Sequence, residues 1–234
     1  MTRTRTVDEL EKLAHEANER FVDAPAEEVL AWAGDTFGKG LAVACSMAAD
    51  TVVTDLASKV VPGVDVLFLD TGYHFAETLG TRAGLEDALP ITLIDVTAKL
   101  TVAEQDEKYG AKLHDRDPGL CCQMRKVDPL NEALEGYEAW VTGVRREDNA
   151  LRANTPLVDW DARHQMVKIN PVAAWSFDDV LNYASEHDVI INPLLGEGYP
   201  SIGCEPCTRK VAPGEDPRAG RWAGLGKTEC GIHL

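Results

Sequence analysis

No run in the 234-residue sequence approaches the roughly 20 apolar residues that a helix needs to cross a bilayer. The start, Met1-Thr2-Arg3-Thr4-Arg5, lacks the apolar run of a secretory signal and leads straight into a charged amphipathic pattern. Internal repeats and low-complexity tracts are missing as well. Cations are in deficit: 23 Lys and Arg against 39 Asp and Glu leave a formal charge of −16. That balance argues against nucleic acid as the main partner, because duplex phosphate must be met by many basic side chains. These absences predict a cytoplasmic protein with one sizeable core, and a composition 44% hydrophobic and 26% charged agrees.

The cations that remain are gathered in the second half. They are Arg125, Lys126, Arg145, Arg146 and Arg152, then Arg209, Lys210, Arg218, Arg221 and Lys227. Such grouping in an acidic protein suits a small anionic ligand held in a focused positive cleft; a solvated face carrying some arginines is the plainer alternative.

Periodicity gives the fold class. Residues 7–20 read as an amphipathic helix, and Pro25-Ala26-Glu27-Glu28 opens a second. Short apolar runs at 41–45, 64–69, 91–96 and 139–143 read as buried strands, with helices at about 48–60, 74–84, 101–109 and 122–135 between them. Val167-Lys168-Ile169-Asn170 is expected to add an edge strand, and Ser176-Phe177-Asp178 starts a late helix. The alternation predicts an α/β fold: a parallel-type sheet with helices on both faces. The expected layout is N-terminal helices over 1–38, a core over 39–203 and a tail over 204–234. Gly and Pro dominate from about Asn192, so the last segment buries little on its own and needs something to tie it down.

Ligands of such sheets bind beyond the carboxyl ends of the strands. Two loops fall there: Ser46-Met47-Ala48-Ala49-Asp50 and Asp70-Thr71-Gly72-Tyr73-His74. Small residues at a helix start let backbone N–H groups approach an anion. A tight turn and a helix cap would explain both loops without a ligand.

Six cysteines complete the inventory. Cys121-Cys122 and Cys204-Glu205-Pro206-Cys207 present four thiolates from two places, and in a reducing compartment four soft ligands mean zinc or an iron–sulfur cluster. Either would anchor the weak C-terminal segment. Cys45 lies in a strand and reads as core. Cys230 stands apart, in Glu229-Cys230-Gly231-Ile232-His233-Leu234. A lone terminal cysteine is normally an idle surface thiol. Here His233, the Gly231 turn and the upstream arginines could favour the reactive thiolate.

Together these residues resemble the adenylyl-sulfate and phosphoadenylyl-sulfate reductase family of the PP-loop group. Three segments carry the resemblance. Leu69-Asp70-Thr71-Gly72 with Glu77-Thr78 is similar to the family's LDTG turn, Thr142-Gly143-Val144-Arg145-Arg146 to its TG-x-R-R segment, and Lys227–Leu234 to its closing motif. The nucleotide loop departs from the pattern, with Met47 where glycine would ease backbone approach. The resemblance implies a 4Fe–4S cluster on Cys121, Cys122, Cys204 and Cys207, and adenylyl sulfate as substrate in sulfate assimilation. Ser46, Asp50, Asp70, Gly72, Lys126, Arg145, Arg146, Arg218, Arg221 and His233 would bind that substrate. It further implies Cys230 as the nucleophile that forms an S-sulfocysteine, and a separate thioredoxin as reductant, since no thioredoxin module is fused here. A homo-oligomer is compatible with all of this. The rivals are a phosphoadenylyl-sulfate reductase, a PP-loop adenylyltransferase or ATP pyrophosphatase, and a nucleotide-binding iron–sulfur sensor without catalysis.

Overall fold

Residues 41–45 alternate in the faces they serve. Leu41, Val43 and Cys45 enter one core cluster and Ala42 enters the other, as side chains on a strand buried on both faces must. This strand, β1 (Leu41–Cys45), is central. It pairs in parallel with β2 (Val64–Asp70) on one side and with β4 (Ala139–Val141) on the other. Outside β2 lies β3 (Ile91–Thr97), also parallel. On the far side β6 (Met166–Ile169) pairs in parallel with β4, and β5 (Val158–Asp161) closes the edge antiparallel to β6. The order is therefore β3-β2-β1-β4-β6-β5. The computed structural model describes residues 3–227, 229, 231 and 232.

Nine α-helices accompany the sheet among those residues. They are α1 (Val7–Arg20), α2 (Ala26–Phe37), α3 (Thr51–Val60), α4 (Ala76–Ala88), α5 (Val102–Tyr109), α6 (Leu113–Arg116), α7 (Pro118–Cys122), α8 (Asp128–Leu134) and α9 (Phe177–Glu186). Thr6 caps α1 and Thr101 caps α5, each in a reciprocal box with a glutamate three residues on. The larger core lies beneath α1, α2, α3 and α9; the smaller one gathers Leu67, Leu130, Leu134 and the fully buried Trp140 on the opposite face. The chain leaves β1 toward β2 but returns from β3 to the other side of β1. That reversal opens a crevice above β1 and β4.

Two sequence expectations change. Val167–Asn170 was expected at the edge, but β6 is internal, because the unforeseen strand β5 pairs outside it. The helix expected over 122–135 is three pieces: α7, a π-helical turn at Gln123–Val127, and α8. Such wide turns cluster at functional sites.

The N-terminal segment is fastened by Arg3, which donates to the Tyr137, His164 and Gln165 carbonyls, and by one carboxylate. Glu138 is buried and accepts hydrogen bonds from Thr4 N (2.6 Å), the Thr4 hydroxyl (2.8 Å) and Arg5 N (2.7 Å), and pairs with the Arg5 guanidinium. Burial opposes its ionisation, but the bonds from Thr4 and Arg5 outweigh it and hold the carboxyl below the usual range. A depressed folded-state pKa adds stability above the unfolded pKa, and that stability is lost as pH falls through the folded value. Glu138→Gln is thus expected to cost about 2 kcal/mol at pH 7. In urea titrations the gap from wild type should close toward pH 3; a gap constant with pH would refute the assignment.

Candidate active site

The turn after β1 is shaped by its own aspartate. The Asp50 carboxylate accepts from Ser46 N (2.6 Å) and Ala48 N (2.9 Å), so two amides that could face an anion are tied to a side-chain anion. Between them Met47 adopts φ +57°, a left-handed conformation that normally falls to glycine. The departure noted in the sequence is therefore a real backbone demand. Buried Asn192 holds it from far along the chain, donating 2.9 Å to Met47 O and 3.0 Å to the Thr78 hydroxyl. Gly143, after β4, allows the close approach of this turn: a Cβ there would lie 2.5 Å from Asp50 Cβ.

These loops border a cleft of about 290 Å³ at the crevice between β1 and β4. Of the residues expected to bind substrate, Ser46, Asp50, Lys126, Arg145, Arg218 and Arg221 line it together. Three do not. Asp70 caps its own turn by accepting from Gly72 N at 2.9 Å, Gly72 lies against Arg125, and the Arg146 guanidinium turns away to the Thr155 carbonyl at 2.8 Å. Cys230 and His233 lie outside the described residues, but Glu229 and Ile232, on either side of Cys230, line the cleft. Sequence reasoning left Arg152, Glu229, Phe177 and Trp222 out of the site, although all four line it. The clue in the sequence was Arg152 in the basic group, seven residues beyond Arg145.

Most of the cleft's arginines are matched by acids. Arg145 bridges Glu147 and Asp148, both at 2.7 Å, and lies over the Phe177 ring. Arg152 bridges Asp148 and Glu229, both at 2.9 Å. The guanidinium forks are thereby set in direction by the protein's own carboxylates. His74, which lines the cleft, is held below its usual pKa by burial, with its Nε2 2.8 Å from the Leu69 carbonyl.

The four paired cysteines come together as expected. Cys121, Cys122, Cys204 and Cys207 line one small cavity with Arg125, Lys126 and Arg221. Asp117 caps α7 through Leu120 N at 2.9 Å and Pro118 opens it, which turns both adjacent cysteines inward. Burial and the neighbouring sulfurs push the Cys121 thiol up to about 12 and the Cys207 thiol up to about 11. Burial also opposes ionisation of Cys204, yet Lys126, the Thr71 hydroxyl 3.4 Å away and Arg221 outweigh it and hold that thiol below its usual value. Four sulfurs so placed repel one another as anions, so an all-thiolate set fits only around a cationic centre. Among the described residues no three His, Cys, Asp or Glu side chains are grouped to hold one metal ion. A lone tetrahedral zinc would draw its sulfurs to about 3.8 Å of each other. Lys126 and Arg221 line both this cavity and the cleft.

The tail folds back to complete both pockets. Glu205 N donates to Tyr73 O (2.7 Å) and Trp222 N to Cys207 O (2.9 Å), and Trp222 is buried. Buried Arg125 reaches the Thr71 carbonyl, Leu100 O and Gln105, so it braces the turn after β2. Among the described residues no helix is long and apolar enough to cross a membrane.

Comparison with known proteins agrees with this geometry. Residues 40–210 match the family model described as phosphoadenosine phosphosulfate reductase domain. The chain is 57% identical over 229 residues to an adenosine 5'-phosphosulfate reductase of Streptomyces coelicolor, covering 98% of this chain and 97% of that one. It is 55% identical over 231 residues to the protein of that name from Mycolicibacterium smegmatis, covering 99% and 98%. Among solved structures, phosphoadenylyl-sulfate reductase from Candida auris, as a phosphate complex, superposes with a TM-score of 0.73 at 26% identity, covering 90% of this chain and all of the other. Yeast FAD synthetase, at TM-score 0.55 and 10% identity over 88% of this chain and 77% of its own, shares the fold alone.

Proposed function

We propose, for a chain that belongs to the phosphoadenosine phosphosulfate reductase family, that it reduces adenosine 5'-phosphosulfate to sulfite and AMP through Cys230. One observation carries the reading: residues on both sides of that cysteine line the same arginine-bearing cleft as the Ser46–Asp50 loop. The unphosphorylated nucleotide is favoured by the names of relatives at 50–57% identity over nearly the full length.

The nucleotide binds at the Ser46–Asp50 turn, with its phosphate and sulfate toward Lys126, Arg145, Arg218 and Arg221. Neutralising those oxygens lets one anion approach another. The Cys230 thiolate attacks the sulfur, the bond from sulfur to the bridging oxygen breaks, and AMP leaves with the electron pair. The product is S-sulfocysteine. A thiolate of a separate thioredoxin then attacks Cys230 Sγ and expels sulfite; its second thiol resolves the mixed disulfide and returns Cys230 as the thiol. The reductant is oxidised by two electrons and the sulfate sulfur reduced by two.

Cys121, Cys122, Cys204 and Cys207 would hold a 4Fe–4S cluster, supported by the four-thiol donor set and the cations around it. When bound, it supplies fixed charge beside Lys126 rather than electrons, since thiol exchange moves electrons in pairs. Lys126 and Arg221 carry that influence to the substrate side. Cytoplasmic reducing conditions suit the free thiols.

Intact-mass measurement after mixing the protein with adenylyl sulfate, in the absence of any thiol, tests the reading. A sulfonate adduct mapped to Cys230 is expected; an unmodified chain whose metal centre is intact would count decisively against it.

A further inference from the structure

Glu229 is a carboxylate in a Gly-rich segment, and such groups are normally solvated. Here its side chain is 6% exposed and takes three donors. Arg152 lies 2.9 Å and Arg218 3.4 Å from Oε2, and Asn149 Nδ2 lies 2.5 Å from Oε1. Arg152 is 13% exposed and is itself oriented by Asp148 at 2.9 Å. An exposed pair of this kind would contribute little. A buried carboxylate is costly unless several donors meet it, so this one is a fitted contact. It joins the tail to the turn at 149–152 across some 80 residues of chain. Beyond Cys230 the segment is held again: Arg163 donates to Gly231 O at 2.9 Å, and Ile232 packs against the smaller core.

We propose that Glu229 is a positioning residue. Its carboxylate, gripped by Arg152 and Asn149, docks the C-terminal segment on the cleft, so that the thiolate of the next residue in the chain meets the substrate's sulfur. The inference rests on the reductase reading and deepens it. On this account Arg152 serves the protein's own carboxylate rather than the substrate's oxyanions. Holding a nucleophile in place removes translational and rotational freedom before the reaction, and small misplacements are punished steeply.

The test is single-turnover formation of the sulfonate adduct, without reductant, in wild type, Glu229→Gln, Arg152→Gln and the double variant, with AMP affinity measured on each. Each single variant should slow adduct formation about 10- to 100-fold, with AMP affinity changed less than about threefold. The double variant should be no slower than the slower single one, because both remove the same contact. Multiplicative losses, an unchanged rate in Glu229→Gln, or a loss in AMP affinity as large as the loss in rate would each overturn the proposal. Hydrogen exchange gives a readout free of chemistry: amides across 223–232 should exchange faster in resting Glu229→Gln, and unaltered protection would overturn the docking role. Wild-type protein that forms no adduct would instead overturn the reductase reading, leaving the exchange result to judge the docking contact itself.

Discussion

Replacing Cys230 by serine is expected to abolish sulfite production, by at least about 10⁴-fold, while AMP affinity and iron content stay as in wild type. The size follows from the nucleophile. A serine hydroxyl holds its proton at neutral pH, whereas a cysteine thiol ionises far more readily. The cleft, its arginines and the nucleotide turn would be untouched, so binding should persist. The sulfonate adduct should vanish with the thiol. Adenylyl transfer surviving in this variant would place the chain with the nucleotidyltransferases that share its fold at 10–13% identity. Full turnover in Cys230→Ala would remove the basis for the mechanism altogether.

The next largest effect is expected at the cysteine cavity. Cys207→Ser should lose its iron and the visible absorption that goes with it, whereas Cys45→Ala should keep both. Cys45 lies in β1 within the larger core, and burial, with Asp50 nearby, drives its thiol far above the usual range. It is a small apolar side chain in effect. Cys207 instead shares its cavity with three other sulfurs, and its carbonyl receives Trp222 N. Because a metal centre stabilises only the folded state, its loss should also lower the melting temperature by roughly 10 °C. Iron counted by colorimetry together with a thermal scan checks both. Retention of iron in Cys207→Ser with loss in Cys45→Ala would reverse the assignment.

What the sequence revealed, and what it hid, has a physical pattern. Strands β1, β2 and β4 were legible because burial makes each a nearly continuous apolar run. Strand β3, although an edge strand with only Val96 buried, was legible from its own run of Ile91, Leu93, Ile94 and Val96. Strand β5 was not, since Val158-Asp159-Trp160-Asp161 alternates on a half-solvated edge and reads as a polar loop. Without it, β6 was mistaken for the margin. The meeting of four cysteines in one cavity was legible from the pairing of Cys121-Cys122 with Cys204-x-x-Cys207. That Arg146 and Asp70 do not line the cleft has a different reason. Residue type announces charge, but the direction of a side chain is set by the turn that bears it. Arg146 N is bound to Ala173 O, and its guanidinium swings to Thr155. Arg145, one residue earlier, faces the cleft. Glu229 was passed over because burial of an acid depends on partners some 80 positions away, which no local pattern records.

The left-handed residue in the first loop has one more consequence. Asp50 and Asn192 fix Met47 and its neighbours through the protein's own groups, so the conformational strain there is borne by the fold itself. A receptor already in its final shape surrenders little freedom on contact. Because Ser46 N and Ala48 N are already taken by the Asp50 carboxylate, an anion at that turn gains nothing from those two amides unless it displaces the aspartate.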